Sequence, residues 1–156
     1  MATIFKRIIQ PTNWTCGPTV AAMITCKDVD YVLNFIGHDG SEYDETGPEI
    51  DGKKVKSFYM QEILIYLISE GWSFGAPIRD IHNKWDEWKR TPAIVRVSSE
   101  RYEGRSHLIL WTSEEVLDPS PKSSDDRNLE EYDIIDWYPL MFWGKYHFEK
   151  YFKSTD

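Results

Sequence analysis

Gln10-Pro11-Thr12-Asn13-Trp14-Thr15-Cys16-Gly17-Pro18-Thr19 passes from a polar loop into an apolar periodic segment. Val20, Met23 and Ile24 follow at i, i+3 and i+4, one face of a helix. Pro18 suits the first turn, where a missing N–H costs nothing. Cys16 therefore lies at or near a helix N-terminus, at the positive end of the helix dipole. That position lowers a thiol's pKa, and the thiolate is the nucleophile. Gln10, in the loop before it, has an amide that can fold back over the sulfur. With the Cys16 backbone N–H it would make a donor pair for an oxyanion.

Outward from this stretch, Thr3 to Ile9 is rich in β-branched residues and predicts a short strand. Asp39 to Lys54 reads as a long surface loop. Ser57 is a plausible N-cap for a second helix with the stripe Met60, Ile63, Leu64, Leu67 and Ile68, stopped by Gly71. A third helix is predicted from Pro77, with Ile78, Ile81, Trp85 and Trp88 on one face and Pro92 at its end. Strands follow over 93–97, 107–112 and 116–118, the last two joined as a hairpin. The segment 121–128 reads as a polar loop. The aromatic stretch from Tyr132 to Trp143 adds helix or strand, its period being ambiguous. Helices first and antiparallel strands after predict an α+β fold in one domain, 1–156, with N-terminal helices packed on the sheet.

Composition narrows the function. The longest apolar run, Ile63 to Ile68, falls far short of the about 20 residues of a membrane span. Lys6 and Arg7 precede no apolar signal region, so the expected location is the cytoplasm, with both cysteines reduced. Cys26, ten residues after Cys16, is too far along a helix to bridge it. The net charge of −8 argues against nucleic acid. Asp28 to Asp51 holds eight carboxylates and no Lys or Arg. Glu114 to Asp136 holds nine against Lys122 and Arg127. These read as solvated loops or as an acidic rim that draws a basic peptide or protein. No spacing matches a calcium or zinc site, so neither metal nor cofactor is expected.

A thiolate nucleophile needs an imidazole, and the imidazole needs an orienting group. His38 lies in the acidic segment and reads as solvated, His82 sits at the edge of the third helix, and His147 lies in the aromatic tail. His107 opens an apolar strand, and Asp118 ends its hairpin partner, so the hairpin would bring the two side by side. Asp118 could then accept from one ring nitrogen and leave the other facing Cys16.

Taken together, Gln10-x5-Cys16-Gly17-Pro18, the strand opening Ser106-His107 and the return ending Asp118-Pro119 resemble papain-like cysteine peptidases. The likeness is greatest to the bacteriocin-processing branch, which cuts after double-glycine leaders, and it spans Gln10 to Pro119. The resemblance implies a papain-like fold and amide-bond cleavage without metal or cofactor. Cys16 would be the nucleophile, His107 the general base and acid, Asp118 its orienting group and Gln10 the oxyanion donor. Trp14, Gly17 and Ser106 would line the substrate cleft, Ser106 standing where the family often has glycine. Two other functions use the same residues or scaffold. One is acyl transfer of the transglutaminase kind. The other is a catalytically silent fold acting as a binding, inhibitor or effector module.

Overall fold

In the computed structural model, which describes residues 2–3, 5–79, 85–123, 127–142 and 152–153, the cysteine opens the first helix. Helix α1 spans Cys16–Thr25 and is buried from Gly17 onward. Such a helix lies inside a core rather than upon one. Cys26 ends it in a left-handed conformation, φ 55°.

The first acidic segment is helix as well as loop. Val29, Val32, Leu33 and Ile36 fall at i, i+3, i+4 and i+7 and turn inward from α2, Val29–Ile36. Asp28 caps it, accepting the Tyr31 N–H at 2.8 Å, and Asp30 lies in its first turn. Both carboxylates stabilise the N-terminal end of the dipole. The stretch after it holds a hairpin, β2 (Glu49–Ile50) and β3 (Lys53–Lys54), with Asp51 and Gly52 at its tip. Ile50 and Val55 anchor this hairpin by burial. His38 is not solvated: it bonds Glu62 at 2.6 Å and stacks on Phe58.

Helix α3, Met60–Ser69, begins later than Ser57. Ser57 has φ 54°, and the N-cap is Tyr59, whose N–H is accepted by Glu62 Oε1 at 3.4 Å. Ile63, Tyr66 and Leu67 are its buried residues. Ile68 is exposed, because Tyr66 occupies the core side and shares a 2.8 Å hydrogen bond with Thr25 Oγ1.

Five antiparallel strands follow: β4 (Trp72–Phe74), β5 (Ala93–Ser98), β6 (Ser106–Trp111), β7 (Val116–Leu117) and β8 (Ile134–Phe142). Their order is β4-β8-β5-β6-β7. The expected strands at 93, 107 and 116 are present within a residue at each end. The aromatic segment becomes the long strand β8, inserted between β4 and β5. One face of the sheet, with Ile94, Leu108, Leu110 and Leu140, packs on α1, α2 and α3. The other, with Val95, Ile109, Trp111 and Trp137, is covered by Leu129 and by Trp85 and Trp88 of the short helix α4, Trp85–Trp88. A sheet covered on both faces shows no alternation of apolar and polar residues. That explains why the period of β8 is hidden. The architecture is α+β, with the N-terminal helices on an antiparallel sheet.

Two predicted elements differ. The third helix does not start at Pro77, since Ile78 pairs with Trp137 in a β-bridge, and only Trp85–Trp88 is helical. Ile81, His82, Trp143 and His147 lie outside the described residues. The N-terminal strand is confined to β1, Ala2–Thr3, paired with β9, Phe152–Lys153. From Phe5 to Gln10 the chain forms no strand, although Gln10 N–H reaches Pro119 O at 2.8 Å. An isolated bond of this kind docks a segment without making it a ladder.

Candidate active site

The site forms where the start of α1 meets the start of β6. Gly17 permits that approach: a Cβ there would lie 3.1 Å from Ile63 Cδ1 and 3.6 Å from Leu108 Cδ1. With no side chain at 17, the first turn of α1 sits directly against α3 and β6. Cys16, half-buried, is thus brought within electrostatic reach of His107. The β6–β7 hairpin returns the chain so that His107 Nε2 donates to Asp118 Oδ1 at 2.7 Å. Nδ1 is then the ring nitrogen left for the thiol. Cys16, His107 and Asp118 therefore form one connected set.

Its electrostatics favour charge on all three groups. Burial pushes the Cys16 thiol up. The hydrogen bond and charge of His107, with the Leu108 and Gly17 backbone N–H groups, outweigh burial and hold it below its ordinary value. Burial acts to lower His107. Its hydrogen bonds to Asp118 and Cys16, and their charges, reverse this and push it up to about 10. Burial raises Asp118, but His107, the Ser120 N–H and Tyr132 hold it below the usual carboxylate range. Groups coupled this closely titrate as a set. The three shifts together favour the form with thiolate, imidazolium and carboxylate.

Two residues that the sequence did not point to hold Asp118. Tyr132 Oη donates to Asp118 Oδ2 at 2.7 Å. Arg7 donates to the Asp118, Ser120 and Ser123 carbonyls at 2.6, 2.7 and 2.9 Å. Ser120 N–H adds a 2.8 Å bond to Asp118 Oδ1. Both carboxylate oxygens are therefore engaged and the side chain is fixed. No spacing rule links Arg7 or Tyr132 to Asp118, because each reaches it through tertiary packing.

Gln10, Trp14, Gly17 and Ser106 line the same cleft as Cys16, His107 and Asp118, a space of about 540 Å³. Gln10 Nε2 donates to Thr12 O at 2.8 Å, while its buried Oε1 has no partner. The amide holds two N–H groups, so one remains for a ligand. Trp14 is fixed by donating Nε1–H to Asp39 O at 2.9 Å. Ser106 is exposed at the mouth of β6. Neither cysteine forms a disulfide. Among the described residues no group of three or more His, Cys, Asp or Glu is placed to hold a metal ion, and no helix is long and apolar enough to cross a membrane. No protein-family model, curated protein or solved structure matches the chain.

Proposed function

We propose that the protein is a cysteine peptidase-like hydrolase that cleaves a peptide, isopeptide or related amide bond. The single observation that carries this reading is the placement of His107 between the Cys16 thiol and the Asp118 carboxylate. A buried helix that starts with the cysteine, packed on an antiparallel sheet that carries the histidine, supports a papain-like architecture.

The chemistry follows from the charge state. The Cys16 thiolate adds to the amide carbonyl carbon and forms a C–S bond. Charge moves to the carbonyl oxygen, where the Cys16 backbone N–H and the spare Gln10 amide proton can receive it. The intermediate collapses by breaking the C–N bond, and His107 gives its proton to the departing amine. His107, now neutral, takes a proton from water. The hydroxide displaces Cys16 from the thioester, and the carboxylic acid leaves. Asp118 keeps the ring oriented and stabilises the imidazolium without taking the proton itself.

The test is incubation of wild type and Cys16→Ala with a mixture of synthetic peptides, read by mass spectrometry, with and without a primary amine. New termini with wild type alone are expected. Amine adducts would assign acyl transfer rather than hydrolysis. Identical products from Cys16→Ala would overturn the proposal.

A further inference from the structure

The cleft is charged opposite to the chain around it. The whole sequence carries −8, yet six Lys and Arg side chains line the cleft against two carboxylates, Glu100 and Asp118. Both carboxylates are occupied, Glu100 by Arg127 and Asp118 by His107. Arg96 is held by Asp136, and Arg101 lies 3.6 Å from Asp51. Lys56 is 3.9 Å from Glu42. Arg105 and Lys122 pair with no carboxylate among the described residues, and both are exposed. Arg105 stands just before Ser106-His107, and Lys122 follows shortly after Asp118, so the two cations flank the catalytic pair.

The lining also divides by element. Trp14, Phe58, Met60 and Ile63 come from the approach to α1 and from around the start of α3. Arg101, Arg105 and Lys122 come from the β5–β6 loop and the segment after β7. The apolar lining and the two unpaired cations, Arg105 and Lys122, thus come from different stretches of the chain. Three carboxylates of the acidic segment before the cleft are held by nearby residues. Asp39 accepts from Ser41, Asp44 accepts from Thr46, and Asp51 accepts from Asn13 and Tyr102. By sequence alone that segment reads as a solvated loop or as a rim that draws a basic partner. The cleft surface itself has the other sign.

We infer that the cleft selects an acidic peptide, one that presents an Asp or Glu side chain to Arg105 and Lys122 and an apolar side chain to Trp14 and Phe58. This rests on the hydrolase reading. A concave site lined by one sign of charge concentrates ligands of the other. A guanidinium also offers a carboxylate two parallel N–H donors.

The test alkylates the protein at pH 6 with iodoacetate and, separately, iodoacetamide, reagents of similar size that differ by one negative charge. Mass spectrometry gives the rate at each cysteine, and Cys26 is the reference. The iodoacetate-to-iodoacetamide ratio should be higher at Cys16 than at Cys26. Arg105→Gln with Lys122→Gln should lower the Cys16 ratio by about fivefold, the size of two screened charge interactions. Any remaining excess is then that of the His107 imidazolium. A ratio at Cys16 untouched by the double substitution overturns the inference. So does faster inactivation by a Leu-Lys chloromethyl ketone than by its Leu-Glu counterpart. If iodoacetamide reacts no faster at Cys16 than at Cys26, the hydrolase reading fails instead, which separates the two failures.

Discussion

Helix α1 carries a cysteine at its start and another just past its end, and the two surroundings share almost nothing. Cys16 is half-buried at the positive pole of the helix, beside His107, whose charge lowers its pKa. Cys26 is exposed, in left-handed backbone, and closes the helix by donating its N–H to Ala22 O. The difference is made by partners, not by the residue. The start of α1 is met by a strand from the second half of the chain, which delivers an imidazole held by a carboxylate. The far end is met by Tyr66, whose hydroxyl bonds Thr25 within the core. In the proposed function one end serves chemistry and the other packing.

The strongest way to break this contrast is His107→Ala. It should lower kcat/KM on a cleaved peptide by about 10⁴-fold or more, as loss of a catalytic base does. Iodoacetamide labelling of Cys26 should stay the same. Asp118→Asn should cost up to about 10⁴-fold and should also move the pH profile. His107 must be protonated to release the amine, so activity falls as pH rises through its value of about 10. Without the Asp118 charge that value drops, and the alkaline limb should shift to lower pH.

Tyr132→Phe removes one of the donors that fix Asp118. The expected loss is about 1 kcal/mol, or roughly fivefold in kcat with KM little changed. A raised KM with kcat unchanged would mean that Tyr132 acts on binding instead. The smallest effect belongs to the packing end. Tyr66→Phe should reduce stability by about 1 kcal/mol, seen as a lower Tm. The ratio of Cys16 to Cys26 alkylation should not move. A changed ratio would show that the two ends of α1 are coupled.

The parts of this arrangement written locally were legible in the sequence. The start of α1 shows in Cys16-Gly17-Pro18 and the apolar spacing after it. The hairpin that joins His107 to Asp118 shows in two short β-rich runs with a tight link. Helix α2 was written as plainly, in Val29, Val32, Leu33 and Ile36, but the carboxylates among them gave the segment the look of a solvated loop. Three of those charges do local work: Asp28 and Asp30 start a helix, and Asp51 bonds Asn13 and Tyr102. Strand β8 was obscured because its sheet is covered on both faces. The bonds of Arg7 and Tyr132 to Asp118, and the cationic wall from Arg101 to Lys122, depend on distant segments meeting. No local spacing encodes them.

The most direct measurement is the pH dependence of Cys16 alkylation by iodoacetamide, in wild type and His107→Ala, with Cys26 read in the same sample. The account predicts fast reaction of Cys16 well below pH 7 in wild type, because the thiolate is already formed there, and loss of that reactivity in His107→Ala. Cys16 following Cys26 at every pH, or keeping its acid-side reactivity without His107, would contradict it.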